Sequence, residues 1–323
     1  MKFRSPYMVF AVILVVLLFF VYSCGKNEVP HYLFLKNYLF SVEDFTKAMI
    51  VNPQNVWVIG ASGSIYKSGD SCESWSRRRQ PDGTALNDMY FLNEDIGWIT
   101  GENGILLSTT DSGKTWSDTT VGDAENIFTT VFFRDENTGF IAGGLNDQKP
   151  AGVLYSTMDG GRRWNKCDIS IPIIFSIVFL DTAAGICCTS EGLLRTEDGG
   201  KSWLPEPPGA HLPFQRLFFI NHESGWAAGI ETGVYSTSDG GRTWNVSNGT
   251  TDYKINDIFF IDSQNGWAVG KDGVFLYTLN GGKSWVRMET GVADDFFSVY
   301  FFNIDFGLIC GRNGIVIEVE TLQ

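Results

Sequence analysis

Six times the chain writes an eight-residue polar turn that ends in tryptophan: "SGDSCESW" (68–75), "TTDSGKTW" (109–116), "TMDGGRRW" (157–164), "TEDGGKSW" (196–203), "TSDGGRTW" (237–244) and "TLNGGKSW" (278–285). The tryptophans Trp75, Trp116, Trp164, Trp203, Trp244 and Trp285 stand 41, 48, 39, 41 and 41 residues apart. A period of that length means one supersecondary unit stacked on copies of itself, so it constrains the fold more tightly than any local motif.

Each period repeats one order. An apolar run such as "INDIFFID" from Ile255 or "FFSVYFFN" from Phe296 comes first, with "FTKAMIVN" from Phe45 the earliest copy. Rich in aromatic and β-branched residues, these runs suit inner strands buried on both faces. A second strand opens on glycine ("GWITG", "GFIAG", "GICCT", "GWAAG", "GWAVG", "GLICG"), a third follows a short loop, and the tryptophan begins a fourth. Four antiparallel strands in each of seven repeats, with no helical period, predict an all-β seven-bladed β-propeller. The last repeat ends at Gln323 with three strands, whereas "HYLFLKNYLF" (31–40) is a spare at the beginning. Lent to blade seven, that strand closes the ring and removes a bare sheet edge. The expected organisation is a leader over 1–23, a tether over 24–30 and one propeller over 31–323.

The repeated turn resembles the Asp-box, the bacterial neuraminidase repeat, in Asp70, Asp111, Asp159, Asp198 and Asp239, with Asn280 a departure. The acid can accept backbone N–H groups of its own turn, Gly241 can take a positive φ, and the tryptophan can bury its ring between sheets. Calcium binding or catalysis at these acids is the alternative, less economical for a motif set around a whole ring.

Charge bounds the partners. Twenty-four Lys plus Arg against 37 Asp plus Glu gives −13, which disfavours nucleic acid. Lys2 and Arg4 precede the apolar stretch 8–21 and "VYSC", ending at Cys24. The stretch has secretory length, and its end resembles a bacterial lipobox in which Cys24 carries the lipid; an uncleaved anchor helix is the alternative. Either way the rest is tethered to a membrane in the cell envelope. The other cysteines (Cys72, Cys167, Cys187, Cys188, Cys310) and three scattered histidines show no metal spacing, so no metal or other cofactor is expected. Cys188 and Cys310 read as small buried hydrophobes.

Binding is expected on the face opposite the repeated turns. Its loop tips carry Glu102, Glu191, Glu231, Asp272 and Arg312, and the one long loop, 144–152, carries Asp147 and Lys149. Aligned inner strands share one polar position, Lys47, Asp88, Thr130, Ser176, Arg216, Asp257 and Ser298. These residues are expected to line the channel mouth and chiefly to solvate it. "RRR" (77–79) reads as a solvated strand end or a patch for an acidic protein segment.

With stretches such as "GWAVGKDGVFLYTLNGGKSW" (266–285), the chain resembles the photosystem II assembly and stability factor family from about Phe45 onward. That resemblance implies a seven-bladed, non-catalytic scaffold for membrane complexes. A monomer that binds a protein or peptide partner is the expected form. Its arginine patch has no residue-by-residue counterpart in this sequence. The rival reading is a sialidase-like or other glycoside hydrolase, or a glycan-binding propeller. Arg216 is the one arginine of the aligned ring, and Asp88 and Asp257 fall on blades too far apart for a retaining carboxylate pair.

Overall fold

The computed structural model describes residues 32–37, 42–80, 82–145, 151–167, 171–206, 214–229, 233–250 and 252–321. The expected leader with Cys24, and the loop residues Asp147, Lys149 and Glu231, lie outside them. The described chain forms seven four-stranded antiparallel sheets. Blades one to six span 45–79, 86–120, 126–166, 174–205, 214–246 and 255–288. Blade seven takes three strands from 296–321 and its outermost from Tyr32–Asn37, which pairs antiparallel with Val316–Thr321 from Tyr32↔Thr321 to Asn37↔Ile317. The N-terminal strand therefore closes the ring, as expected.

Blade contact rests on one aromatic arrangement. The residue after the glycine that opens a second strand stacks on a phenylalanine near the end of the next blade's inner strand: Trp98 on Phe133 (ring centroids 3.4 Å), Trp226 on Phe260 (3.5 Å), Trp267 on Phe301 (3.7 Å) and Phe140 on Phe179 (4.5 Å). The tryptophan of the repeated turn meets that phenylalanine edge-on, as Trp164 does Phe133 at 5.9 Å and Trp285 does Phe260 at 5.6 Å. Such pairs add roughly 0.5–1.5 kcal/mol each beyond their area burial. The opening glycine is explained by the same packing, because a Cβ on Gly266 would come within 2.3 Å of the Phe260 ring.

Every inner strand also carries a register shift near its start, from Phe45/Lys47 in blade one to Phe296/Ser298 in blade seven. The skipped residue is unpaired in its own ladder and so free to point at the neighbour. Thr46 donates to Leu86 O (2.6 Å), Asn87 to Phe128 O (2.9 Å), Thr129 to Ile174 O (2.6 Å) and Asn256 to Phe296 O (2.7 Å). Each is a hydrogen bond from one blade to the next.

Candidate functional site at the channel mouth

Register separates the two ends of the ring. Phe214 pairs with Gly229 and Phe219 with Gly225, which in turn faces Thr237. Inner strands thus begin where second strands end, and the repeated turns sit at the far end.

In those turns the acid is a hydrogen-bond hub. The Thr243 N–H and hydroxyl donate to the two Asp239 oxygens (2.9 and 2.6 Å), and the Thr237 hydroxyl donates to Oδ1 (2.8 Å). Gly241, at φ 80°, donates its N–H to the Thr237 hydroxyl oxygen (2.9 Å). Asp70, Asp111 and Asp198 repeat the whole set, Asp159 lacks the second hydroxyl, and Asn280 donates its Nδ2 to Ser284 Oγ instead. Hydrogen bonds to the charged form hold Asp111 and Asp198 at about 2, and hold Asp239 there against partial burial. Trp75, Trp116, Trp164, Trp203, Trp244 and Trp285 all pack in the clusters between blades.

The shared polar position follows the register shift at the opposite end, and it does more than meet water. Val131 N–H donates to Asp88 Oδ2 (3.0 Å), Leu217 N–H to Ser176 Oγ (3.4 Å) and Val299 N–H to Asp257 Oδ2 (3.2 Å). Blades two, four and six each cap a backbone donor in the following blade. Thr130 and Ser298 are buried with them. The expectation of simple solvation is corrected, since a buried backbone N–H must find an acceptor and these side chains supply it.

Asp257 gathers charge as well. Lys47 Nζ lies 3.2 Å from its Oδ2, Arg216 Nε lies 3.8 Å from its Oδ1, and Ser298 Oγ donates to Oδ2 (2.9 Å). Burial pushes the carboxyl up, but Lys47, Arg216 and the two hydrogen bonds outweigh it and hold Asp257 below the usual carboxylate range. Lys47 of blade one reaches past blade seven to blade six, so this cluster spans the blade built from both chain ends. Asp88 stands apart from it.

The rim tips are dispersed. Glu191 is exposed and Glu102 half-buried, on blades four and two. Asp272, at φ 55°, donates its N–H to Asp295 Oδ1 (3.1 Å), and Arg312 Nη2 lies 3.0 Å from Asp295 Oδ2. Asn313 N–H donates to Asp44 Oδ1 (3.0 Å) and its Nδ2 to Asp294 Oδ1 (2.8 Å). Glu43 accepts the Ser62 N–H (2.9 Å) and the Ser64 hydroxyl. Sequence reading missed these acids, though Glu43-Asp44-Phe45 and Asp294-Asp295-Phe296 repeat one pattern before an inner strand. Asp272 and Arg312 are brought together through Asp295, whereas Glu102 and Glu191 stand on other blades.

The run 77–79 is divided. Arg79 is held by Gly63 O (2.8 Å), Asp82 (2.5 Å) and Asp118 (3.8 Å), whereas Arg77 and Arg78 are exposed on the outer strand of blade one. The cysteines Cys72, Cys187, Cys188 and Cys310 are buried, and burial pushes the Cys188 thiol up to about 12. Among the described residues no three His, Cys, Asp or Glu side chains converge as metal ligands would.

The family model described as "Photosynthesis system II assembly factor YCF48" matches residues 36–108, 81–204, 210–292 and 247–320. No curated protein matches the chain significantly. Among solved structures, YCF48 bound to D1 peptide superposes with TM-score 0.72 at 19% identity, covering 92% of this chain and 99% of that one. YCF48 from Cyanidioschyzon merolae gives 0.71 at 18%, covering 90% and 98%. The GH74 enzyme of Niastella koreensis gives 0.66 at 14%, covering 86% of this chain but 52% of its own. At these identities the superpositions establish a shared propeller fold, and the family model, matching along most of the sequence, establishes kinship. The chain belongs to the photosynthesis system II assembly factor YCF48 family.

Proposed function

We propose that this propeller is a non-catalytic, lipid-anchored scaffold in the cell envelope. It binds a protein or peptide segment across its channel-mouth face and assists assembly or stability of a membrane-associated complex. The observation that carries the reading is the concentration of ionic side chains at that one face (Lys47, Arg216, Asp257, Asp295 and Arg312), in a chain whose family is one of assembly factors. The solved YCF48 with a bound D1 peptide supports a peptide as the kind of partner. Asp88 and Asp257 are both engaged with backbone N–H groups of the next blade, which favours a structural over an acid–base role.

Crosslinking followed by affinity capture from the native membranes tests the reading. Arg312→Gln should lower recovery of the specific partner severalfold; because Arg312 also pairs with the buried Asp295, the melting temperature is read alongside and a fall of a few degrees is expected. Undiminished capture, or turnover on a glycan panel that is lost with Arg216→Met, would defeat it. Cys24→Ser should release the protein from the membrane fraction; persistence there would favour an anchor helix.

A further inference from the structure

Below the polar mouth the inner strands set down two more tiers, at positions two and four residues further on. Tyr90, Phe132, Phe218, Phe259 and Tyr300 dominate the first, each half-buried. Successive members touch around the ring: Tyr90 and Phe132 at 5.7 Å, Phe218 and Phe259 at 5.1 Å, Phe259 and Tyr300 at 4.4 Å. Leu92, Leu180, Ile220, Ile261 and Phe302 form most of the second, Phe302 being 43% exposed. Its charged member is Arg134, which is occupied by Thr182 O (2.5 Å) and Asp135 (3.5 Å). The alternating residues Val131 and Phe133, Ile258 and Phe260, Val299 and Phe301 are buried between blades. Strand alternation puts the half-buried set on the other side of each inner strand, where it packs against the clusters between blades yet keeps part of its surface open on the channel side, and the two steps from mouth to lowest tier span about 13 Å.

A water-filled channel does not call for this lining. The wall is apolar over two tiers apart from Arg134 and the hydroxyls of Tyr90 and Tyr300, and is capped by two cations, with Lys47 and Arg216 side chains 18% and 21% exposed. Each turns one donor to Asp257, out of three donors on Lys and five on Arg. Asp88, the other carboxylate of that tier, is tied to blade three. An extended peptide lowered past the mouth would leave its backbone N–H and C=O groups facing hydrocarbon, a cost of several kcal/mol per pair. A hydrocarbon chain carries no such cost.

We propose that the channel binds one carboxylate-headed hydrocarbon chain, its head between Lys47 and Arg216 and its methylenes along the aromatic tiers. The proposal shares the mouth cations Lys47 and Arg216 with the partner reading but fails separately from it, because laurate labelling of the inner strands reads the channel and partner capture with a rim variant reads the face.

The test uses the full-length protein in its own membranes and laurate carrying a mid-chain diazirine. After photolysis, label should map to the inner-strand peptides containing Tyr90, Phe132 and Phe259. Unlabelled laurate should compete about tenfold better than methyl laurate, which has the chain without the charge. Lys47→Met with Arg216→Met should lower channel labelling about tenfold, with labelling of the other proteins of the same membranes as an internal reference. Label absent from the inner strands, or equal competition by acid and ester, overturns the proposal whether or not the variant folds.

Discussion

Gly266 shows how little slack the blade interface has. A methyl group there would sit 2.3 Å from the Phe260 ring, which is already stacked on Trp226 and met edge-on by Trp285. Gly266→Ala should destabilise the protein by about 2 kcal/mol through overpacking, read from denaturant midpoints. A change near zero would mean that the stack can slide. The acids of the repeated turns make a second prediction. Asp111, Asp198 and Asp239 titrate at about 2, against an ordinary 3.8. Their folded pKa is depressed, so the stability they contribute is present above the ordinary value and lost as pH falls through about 2. Stability measured against pH should fall over that window, and Asp239→Asn should make the fall shallower while lowering stability at neutral pH by about 1 kcal/mol.

Strands and their joints account for the ring's integrity. Three strands of blade seven come from the C-terminus, and the fourth, Tyr32–Asn37, must arrive from the other end of the chain. Deleting 31–40 would bare the edge of Val316–Thr321, and soluble folded protein should be lost. An unchanged melting curve would show that the closing strand is dispensable. Between blades, the clasp from Thr129 to Ile174 O at 2.6 Å depends on the skipped residue of the bulge. Thr129→Val keeps the shape and removes the donor, leaving that carbonyl one partner short. A loss of about 1 kcal/mol in equilibrium unfolding is expected.

Across the whole molecule, the Lys47–Asp257 pair joins the two blades that flank the closing one, and Ser298 ties that blade into the same carboxylate. Lys47→Met leaves a buried Asp257 with Arg216 as its remaining cation at 3.8 Å. It should cost about 2–3 kcal/mol, less than full removal of a buried partner. Since Asp257 lies below the usual carboxylate range in the folded state, the cluster stabilises at neutral pH and weakens on acidification. The variant should therefore lose less stability on acidification than the parent does, and a parallel pH profile would argue against the latch.

Blade number, strand order and ring closure were legible in the sequence, because a repeat of fixed length with one tryptophan turn per copy has few ways to bury its apolar runs. The roles of Asp239 and its equivalents were legible for a related reason: their partners lie within four residues along the chain. The chemistry at the channel was not. Lys47 and Asp257 are 210 residues apart and meet only because the ring closes, and Asp295 joins Asp272 to Arg312 only across a blade boundary. The apolar runs read as buried on both faces, yet alternate residues such as Tyr90, Phe218 and Phe259 are half-buried. Local pattern settles which elements form, since it acts through neighbours in the chain; which side chains meet across the axis is set by closure, which no local window contains.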